Sequence, residues 1–518
     1  MGRLFLFLAP LFLAGLACTR SLVPLPSPIA PTPAPVSPSA SAVGSAQAVR
    51  TPRPSPPPTA VLSATPFEEP LARPPTPTLL PTPTLADTPG GILLYYTQSG
   101  DTLSAVATRF GVTLADIGRP TPVPELAILA PGVLLLIPDR LGPTTPAERL
   151  IPDSELVFSA NASAFDAAAY VEQAGGYLSG YTDFIVDRDL PGAEVVHRAA
   201  IENSINPRLL LALLEDRSGW VFSDTPDPAT LEYPMGQVNL RDARLYHQLT
   251  WAANLLNIGY YGWRAGTLTD VTFADGSSMR LAPDLNAGTV ALLYFFAHYL
   301  SGEDWAAAVS AEGFPALYRE MFGDPFQRAV DPLLPPGLSQ PELDLPFLPS
   351  RVWSLTGGPH GPWERDGAWA ALDFAPPSLE QGCAISDEWV TAAAAGLVVR
   401  SEYGLVVLDL DGDGREQTGW VLFYLHLADR ARVPQGRTVE RGALIGHPSC
   451  EGGFATGTHV HIARKFNGEW IAAGGPIPFN LGGWVAHNGP RAYQGSLTNG
   501  PLVVIACTCS SSATQISH

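Results

Sequence analysis

Five of the ten histidines of this 518-residue chain lie within residues 360–461. His459 and His461 are separated by one residue, so on a β-strand both imidazole rings project from the same face. Tyr424 and His426 repeat this spacing in another apolar segment and are predicted to face the same way. A lone histidine is commonly structural, whereas a His-x-His pair with further His and Asp residues nearby indicates a metal or catalytic site.

Zinc is the metal whose chemistry suits these residue types. A zinc ion at a hydrolytic centre takes three protein ligands and keeps one position open for water. Neutral imidazole nitrogen and carboxylate oxygen are suitable ligands. Further donors of both kinds stand upstream, His360 in Gly-Gly-Pro-His and Asp373 in Ala-Leu-Asp-Phe.

These motifs resemble the beta-lytic branch of the lysostaphin-type (LytM-like) zinc endopeptidases. His360 lies thirteen residues before Asp373, which is the spacing of that branch. The compact His-x-x-x-Asp of many relatives is absent, because Trp369 occupies the fourth position before Asp373. The resemblance covers residues 350–500 and implies a cell-wall peptidase domain with one Zn²⁺, bound by His360, Asp373 and His461.

The same resemblance places His426 and His459 beside the open coordination position as the catalytic residues. One would accept the proton of the attacking water, and the other would stabilise the oxyanion or donate to the leaving amine. The sequence leaves open which does which. A downstream tyrosine contributes to the oxyanion site in some relatives. Tyr493 is a candidate for it, and Tyr424 is a second one by its face.

Two other groups near the predicted site have simpler interpretations. His447 and His487 are predicted to be surface or packing residues, because three ligands complete a zinc site. Asp409, Asp411 and Asp413 stand in Asp-Leu-Asp-Gly-Asp-Gly, and Asp-Gly pairs favour a hairpin turn. The carboxylates also resemble the start of a Ca²⁺ loop, but the glutamate of an EF-hand is missing. A turn and a bound Ca²⁺ both stay open.

Four cysteines lie in the C-terminal part of the chain. Cys383 and Cys450 are predicted to form a disulfide, since an exported protein can keep its cysteines oxidised. This bridge would tie the segment after Asp373 to the loop before His459. The other two, Cys507 and Cys509, receive no assignment.

The segments that must position the predicted site have the pattern of an antiparallel sheet. Residues 350–500 are rich in Gly and in short apolar runs, notably at 397–399, 405–410 and 420–427. Such runs with tight connections indicate antiparallel strands. We therefore predict an all-β C-terminal domain.

The region before it, residues 147–345, is predicted to be mostly α-helical. Apolar residues recur at helical spacing in four segments, which are 194–203, 208–217, 245–260 and 286–300. The second segment follows Asn-Pro, a favourable helix start.

This second helix resembles the first catalytic helix of lysozyme-like lytic transglycosylases. In that family the helix ends in Glu followed by Ser, but here Arg217 precedes Ser218. Cleavage of a glycosidic bond needs a carboxylic acid, and arginine stays charged. Glu215 would face another side of the helix, about 200° round. The resemblance thus implies a degenerate lysozyme-like domain that binds glycan or acts as a spacer.

Residues 91–140 have a βααβ outline. We predict a strand at 92–96, a helix from about residue 103, a second short helix at 113–117 and a closing strand at 132–138.

This outline and two of its motifs resemble a LysM glycan-binding module. The motifs are Tyr-Thr-Gln-Ser-Gly-Asp-Thr-Leu and Arg-Phe-Gly-Val, while a Pro-rich insertion replaces the usual Asn-Pro after the second helix. By this resemblance, Gly100, Asp101 and Thr102 would line the groove for N-acetylglucosamine. Without it, the same three residues indicate a turn and a helix cap.

The N-terminus has the pattern of an export signal. Residues 1–18 hold a basic start and an apolar run too short to span a bilayer. The run ends in Gly-Leu-Ala-Cys, which resembles a bacterial lipobox and would make Cys18 a lipid-anchored N-terminus; ordinary secretion is the alternative. Residues 19–90 are a Pro-rich disordered linker. Residues 501–518 are predicted to be a tail.

Composition narrows the class of partner. The formal net charge is −19, so the chain lacks the basic footprint of a nucleic-acid-binding protein. Charge alone would not hold it on an anionic surface either. We therefore expect contact with a membrane only through a lipid anchor.

Together these features predict an exported, multidomain zinc metalloendopeptidase of the cell envelope. It would hydrolyse peptide cross-links or stems of peptidoglycan, with the LysM module anchoring it to glycan. Two alternatives stay open, namely a non-catalytic peptidoglycan-binding scaffold or activator, and a muralytic glycosidase that uses the helical domain. The complete set of ligand and catalytic residues favours the peptidase.

Overall fold

The computed structural model describes residues 91–363, 366–378 and 382–518. The predicted export signal with Cys18 and the Pro-rich linker lie outside these residues. In the described part of the chain, no helix is both long enough and apolar enough to cross a membrane.

The first described residues form a small unit in which two strands flank one helix. β1 (Ile92–Tyr96) pairs antiparallel with β2 (Leu134–Pro138), and α1 (Leu103–Arg109) lies between the two strands in the sequence. The helix begins after Thr102, whose side chain accepts a hydrogen bond from the backbone N–H of Ala105.

The second helix of the predicted βααβ outline is not formed. Thr113 donates from its backbone N and its Oγ1 to Asp116 Oδ2, at 2.9 and 2.7 Å, and this closes a turn. Two residues later Gly118 pairs with Leu136 on β2. The chain is thus drawn into the sheet directly after the turn, and the turn is not continued as a helix. The unit is therefore βαβ.

Of the three residues predicted to line a glycan groove, Gly100 lies against the helical region, and Asp101 and Thr102 make their contacts within the small unit. Asp101 is buried, forms an ion pair with Arg109 at 2.7 Å, and accepts a hydrogen bond from Tyr95 Oη at 2.6 Å. Gly100 is buried so tightly that an added Cβ would overlap Arg264. Thr102 serves as the helix cap. The prediction of an open groove is corrected, because protein atoms fill the space at Gly100 and Asp101.

The middle region is helical, as predicted, with short hairpins between its helices. Its elements are α2 (Asp153–Leu156), α3 (Ala167–Ala174), α4 (Tyr177–Gly180), β3 (Thr182–Ile185), β4 (Arg188–Pro191), α5 (Gly192–Asn203), α6 (Pro207–Ser218), α7 (Leu245–Ala265), β5 (Asp270–Thr272), β6 (Ser278–Arg280), α8 (Ala287–Tyr299), α9 (Gly302–Ala308) and α10 (Phe314–Phe322). The four predicted helices correspond to α5, α6, α7 and α8. Asn206 caps α6 and Pro207 stands in its first turn.

The residues around the missing glycosidase acid have structural roles. Glu215 Oε2 accepts hydrogen bonds from the backbone N–H groups of Val221 and Phe222, at 2.9 and 3.1 Å. The guanidinium of Arg217 lies 4.1 Å from the centre of the Tyr299 ring. Glu215 thus stabilises the turn of the chain after α6. Its carboxylate is occupied by these backbone hydrogen bonds and does not take the place of the missing glycosidase acid.

The C-terminal region is built from short antiparallel strands. They are β7 (Trp353–His360), β8 (Ala371–Ala375), β9 (Val390–Thr391), β10 (Gly396–Glu402), β11 (Leu405–Asp409), β12 (Trp420–Leu425), β13 (Thr438–Val439), β14 (Leu444–Gly446), β15 (Val460–Phe466), β16 (Glu469–Trp470), β17 (Asn480–Leu481), β18 (Trp484–Asn488), β19 (Gly495–Asn499), β20 (Leu502–Ile505) and β21 (Gln515–Ile516).

Most of these strands join one large sheet. Among the described residues its order is β13-β10-β11-β12-β15-β8-β7-β21, with β16 also paired to β15. A second sheet has the order β17-β18-β19-β20, and β14 pairs with β9. The segment predicted as a tail therefore belongs to the fold, because it supplies β20 and β21. The three strands predicted from apolar runs correspond to β10, β11 and β12.

The large sheet is buried on both faces. Side chains of one face join the core of the helical region, namely Ala371, Leu405, Val407, Val421, Phe423, Leu425 and Ala463. The other face packs into a separate core, with Leu372, Val406, Leu408, Leu422, Tyr424, Val460 and Ile462. Two-sided burial explains why the strands are continuous apolar runs and do not alternate with polar residues.

Polar contacts along α7 add to this packing. Tyr260 Oη donates to Glu469 at 2.9 Å, and Tyr261 Oη accepts from the backbone N–H of Trp470 at 2.9 Å. The guanidinium of Arg264 lies 3.0 Å from Glu469 and from Asp153. The helical region and the sheet therefore share both an apolar core and buried charges.

A buried carboxylate on the same side makes stability depend on pH. Glu416 lies 2.8 Å from Arg400 and 3.0 Å from Lys465. Burial raises the pKa of Glu416, but the two cations outweigh burial and lower the pKa from 4.5 to about 2. A folded-state pKa below the unfolded value stabilises the fold above pH 4.5, and this contribution is lost as the pH falls towards 2.

We expect Glu416→Gln to destabilise the protein at neutral pH by about 3–5 kcal/mol, because it leaves Arg400 and Lys465 buried without a counter-charge. Urea unfolding at pH 7 and pH 3 measures the effect. The wild type should lose more stability between these two pH values than the variant. Glu440→Gln, at an exposed carboxylate, is the matched control and should change little. Equal stability of the Glu416 variant and the wild type at pH 7 would contradict this account.

Candidate metal centre

Three neighbouring strands bring the predicted ligands together. His461 on β15 is directly opposite Asp373 on β8, and Asp373 is opposite Gly357 on β7. His360 ends β7, opposite Ala371. Residues far apart in the chain thus meet because β7, β8 and β15 are adjacent.

The three donor atoms form a buried triangle. His360 Nε2 lies 3.3 Å from Asp373 Oδ1, His461 Nδ1 lies 3.2 Å from the same oxygen, and the two nitrogens are 3.0 Å apart. Three corners of a tetrahedron around zinc, with bonds of about 2.0–2.1 Å, would be about 3.3 Å apart. Asp373 Oδ1 is buried and has no hydrogen-bond partner in the described part of the chain. The geometry fits a three-ligand zinc site.

The hydrogen bonds of the two ligand imidazoles leave one nitrogen of each ring free to bind a cation. His360 Nδ1 donates to the carbonyl of Gly358 at 2.8 Å, and His461 Nε2 donates to the carbonyl of Pro362 at 3.0 Å. Because a carbonyl can only accept, the other nitrogen of each neutral ring carries a lone pair. Two lone pairs facing each other at 3.0 Å repel unless a cation lies between them. Such carbonyl partners are the usual outer shell of metal-binding histidines.

The pKa shifts of Asp373 and His461 favour the states that bind zinc. Burial raises the pKa of Asp373, but His360, His459 and His461 outweigh burial and hold it well below its usual range. Burial lowers the pKa of His461 as well. Burial also lowers the pKa of His360, but the Asp373 carboxylate outweighs burial and raises it. A carboxylate beside neutral imidazoles is the state in which these residues bind a metal.

The two predicted catalytic histidines lie beside the triangle. His459 Nε2 is 3.6 Å from Asp373 Oδ1, and the rings of His426 and His459 have their centres 4.4 Å apart. His459 Nδ1 donates to the carbonyl of Gly457 at 2.8 Å, and His426 Nδ1 donates to that of Glu451 at 2.9 Å. Each neutral ring therefore keeps a lone pair on Nε2.

His426 is neutral by environment. Burial, together with neighbouring His459 and His461, lowers the pKa of His426 to about 3. Its Nε2 is therefore a hydrogen-bond acceptor over the whole pH range in which the protein would act.

The carbonyls that orient these rings were not predicted, although part of the signal is in the sequence. His360 and His459 each stand in Gly-x-His, and each ring donates to the carbonyl two residues before it. Gly357 was also missed as a site residue. An added Cβ there would overlap the Asp373 carboxylate and lie 2.8 Å from its Cγ.

The predicted common face of Tyr424 and His426 is wrong. Tyr424 is opposite Ile462, whereas Leu425 is opposite His461, so Tyr424 points away from the metal ligands. Its Oη accepts from the backbone N–H of Ala393 in the buried core. His426 follows the last residue of β12 with a φ of +66°, which ends the strand alternation and turns its ring towards His459.

Tyr493 borders the site on the side of His360. Its ring stacks on the His360 ring, with centres 4.1 Å apart and planes 20° from parallel. Its backbone N–H donates to Pro359 O at 3.2 Å, and its carbonyl accepts from Gly358 at 2.9 Å. The tyrosine is 45% exposed, so its ring lies at the rim of the site.

The other polar residues near the sheet have separate contacts. His447 Nδ1 donates to Glu388 O at 2.8 Å, and His487 Nε2 lies 2.8 Å from Thr498 Oγ1. Asp409 accepts from the backbone N–H groups of the turn that follows it, at 2.8–3.2 Å. These contacts are those expected of a turn. The carboxylates of Asp409, Asp411 and Asp413 are also close enough together to share a cation.

Two disulfides stabilise this region. Cys383 is bonded to Cys450, which joins the segment after β8 to the loop before His459. Cys507 is bonded to Cys509 between β20 and β21. Both bridges are consistent with an extracellular protein.

Comparisons with known proteins relate both parts of the chain to one enzyme. Residues 149–336 match the family model described as LasA, N-terminal domain. This match replaces the lysozyme-like interpretation of the helical region. The chain is also 25% identical to Protease LasA of Pseudomonas aeruginosa (strain UCBPP-PA14) over 370 residues, which cover 66% of this chain and 80% of the relative.

Two solved structures are similar to part of the chain. The M23 metalloprotease pseudoalterin, from the deep sea, is 22% identical, with a TM-score of 0.28, and covers 32% of this chain and 96% of its own. The catalytic domain of lysostaphin from Staphylococcus simulans is 22% identical, with a TM-score of 0.18, and covers 23% of this chain and 87% of its own.

The donor set and the similarity to LasA identify the metal. His360, Asp373 and His461 form the zinc site of an M23-type metallopeptidase.

We expect one zinc per chain in the wild type and close to none after His461→Ala, because two ligands do not hold zinc in a site built for three. Elemental analysis of purified protein measures the metal, and circular dichroism checks that the fold is kept. His487→Ala is the control and should retain full zinc. Zinc content unchanged in the His461 variant would rule out this ligand.

Gly357→Ala should weaken zinc binding about 10–100-fold, because the added methyl group displaces the Asp373 carboxylate. Competition with a coloured chelator measures the affinity. Gly457→Ala is the matched control, since its Cβ would meet only Gly382 O at an ordinary 3.7 Å. An equal loss of affinity in both variants would mean that the effect is not specific to Asp373.

Proposed function

We propose that this LasA-like zinc metallopeptidase, with its His-Asp-His site, hydrolyses peptide cross-links or stem peptides of bacterial peptidoglycan. The observation that carries the proposal is the pair His426 and His459 beside a three-ligand metal triangle. Each ring offers Nε2 for proton transfer, because backbone carbonyls occupy both Nδ1 atoms.

Lewis-acid activation of a water and of the scissile carbonyl is the chemistry that zinc supplies at such a site. The protein contributes the proton transfers. Neutral His426 is suited to accept the proton of the attacking water at Nε2, since its Nδ1–H is held by Glu451 O. His459 is then placed to donate to the leaving amine or to the oxyanion. The reverse assignment uses the same atoms.

The fold limits how a peptide can reach these residues. The sheet face that carries His461 continues into Phe423 and Ala463, which are buried in the core of the helical region. A substrate strand therefore cannot lie along that face. It would cross the rim between Tyr493 on one side and the loop of residues 451–457 on the other. A backbone with small side chains, such as Gly or Ala, suits this narrow approach.

The structure disfavours both alternatives to a peptidase. A non-catalytic scaffold does not need five convergent residues with fixed imidazole tautomers. A glycosidase would need an acid near Arg217, and Glu215 is engaged by two backbone N–H groups.

The proposed location is the cell envelope outside the cytoplasm. Similarity to Protease LasA and the disulfide between Cys383 and Cys450 support export. Lipidation at Cys18 and attachment to glycan through residues 91–140 stay predictions. If that unit binds glycan, it does so through a surface other than the buried one at Gly100 and Asp101.

Digestion of purified peptidoglycan tests the proposal. New amine ends should appear, and a chelator should abolish them. His426→Ala and His459→Ala should each lower kcat by at least about 10²-fold while keeping zinc, because each removes a proton-transfer group but no ligand. Labelling of free amines follows the reaction, and assays for reducing or anhydro sugar ends run in parallel. New sugar ends without new amines would favour the glycosidase, and neither product would favour the scaffold.

A further inference from the structure

The two proposed proton-transfer residues lie just beyond the paired ends of their strands. Pairing between β12 and β15 ends at Leu425 and His461. His426 follows the last residue of β12, and His459 precedes the first residue of β15. Because neither histidine belongs to the regular ladder between these two strands, another part of the chain has to fix how their rings face each other.

Ser449 makes backbone hydrogen bonds to both of these histidines. Its N–H donates to His426 O at 2.7 Å, and its carbonyl accepts from the N–H of His459 at 3.3 Å. Ser449 is only 1% exposed, and buried hydrogen bonds of this kind are electrostatically stronger than those in water. One buried residue therefore connects the two positions from which proton transfer is proposed.

The Ser449 hydroxyl closes a second set of hydrogen bonds around His426. Its Oγ–H donates to His426 O at 3.1 Å, and Oγ accepts from the backbone N–H of Glu451 at 3.0 Å. Glu451 O in turn accepts from His426 Nδ1 at 2.9 Å. A serine hydroxyl suits this place because it can donate one hydrogen bond and accept another. The resulting cycle of three residues holds both the backbone and the ring of His426.

The backbone conformation of His426 requires such a support. Its φ of +66° lies in the left-handed region, which is uncommon for a residue with a side chain. Strained conformations of this kind persist only where the surrounding structure over-determines them, and they cluster at functional sites. Two donors from Ser449 converge on the carbonyl of His426 and fix the peptide that follows the strained angle.

The segment that carries Ser449 is itself anchored on both sides. The disulfide to Cys383 holds the next residue, Cys450. The carbonyl of the preceding residue, Pro448, accepts from the backbone N–H of Ser386 at 3.0 Å. The position of Ser449 is thus fixed by contacts other than those with the two histidines.

We propose that Ser449 is a positioning residue of the peptidase, whose hydroxyl fixes the orientation of the His426 ring. This inference rests on the proposed peptidase function. The hydroxyl acts through Glu451, whose carbonyl holds Nδ1 of the ring. Without the hydroxyl, the N–H of Glu451 loses this partner, and its carbonyl and the imidazole are both free to turn. A displacement of about 1 Å at a proton-transfer group lowers turnover by up to about 100-fold.

Ser449→Ala in the full-length, zinc-loaded protein tests the inference, with purified peptidoglycan as the substrate. We expect kcat for amine release to fall about 10–100-fold, while apparent KM stays within about twofold and zinc content is unchanged, because no ligand and no group in contact with substrate is removed. In a His426→Ala background the same substitution should cause no further loss, since Ser449 acts through that ring. A merely structural role would lower kcat equally in both backgrounds.

Nuclear magnetic resonance of isotope-labelled histidine gives a readout besides activity. In the wild type, the Nδ1–H of His426 should give a slowly exchanging proton signal, because it is hydrogen-bonded in a buried place. Ser449→Ala should broaden or remove this signal. The signal of His360, whose Nδ1–H donates to Gly358 O, should stay in place.

Ser386→Ala is the matched control. Its Oγ also accepts from the N–H of the second residue after it, Glu388, at 3.1 Å, but in the described part of the chain no hydrogen bond joins it to His426 or His459. It should leave kcat, apparent KM and the His426 signal unchanged. Ser449→Thr keeps the hydroxyl and should retain kcat within about threefold.

Three results would each overturn the positioning role. They are wild-type kcat in Ser449→Ala, an intact His426 signal in that variant, and an equal loss of kcat in the wild-type and His426→Ala backgrounds. A loss in Ser449→Thr as large as that in Ser449→Ala would also count against the hydroxyl. If the wild type itself releases no amines from peptidoglycan, the peptidase function fails, and the inference fails with it.

Discussion

The metal centre depends on three electron-pair donors that the fold holds in one buried triangle, two imidazole nitrogens and one carboxylate oxygen. These donors repel one another unless a cation lies between them. The fold fixes this arrangement before any metal is considered. The carbonyl of Gly358 sets the tautomer of His360, and that of Pro362 sets the tautomer of His461. Every atom that faces the centre of the triangle is then an acceptor, and only a cation satisfies such a set. The strand register brings the three donors together, Gly357 leaves room for the Asp373 carboxylate, and the loop carbonyls orient the two rings.

The constraint also explains why the site needs a sheet buried on both sides. His461 and Asp373 must stay directly paired, and a slip of one residue would turn either side chain to the opposite face. Apolar neighbours on both faces prevent such a slip. The helical region provides one of the two covering layers, through residues such as Phe423 and Ala463. The same layer restricts where a substrate can lie, so the stability of the sheet and the access to the site are linked.

The ligands were predicted through the resemblance to the beta-lytic peptidases, which rests on the motifs around His360, Asp373 and His461. The His-x-His spacing by itself indicated only that two rings share a strand face, because strand alternation is a local property. The strands and the four main helices were also predicted from apolar periodicity. What failed depends on contacts distant in sequence. The predicted helix at 113–117 yields to pairing with β2, and the predicted groove at Gly100 is filled by Arg264.

A single backbone angle caused the other failure. Period-two alternation placed Tyr424 and His426 on one face, but His426 has a positive φ and leaves the strand. No periodicity rule anticipates this, because the turn is held by hydrogen bonds from Ser449 to His426 O and from His426 to Glu451 O. Positive φ in a non-glycine residue has a conformational cost. The disulfide at Cys450 fixes the loop that offsets this cost, so the position of the His426 ring is a consequence of the loop rather than of the strand.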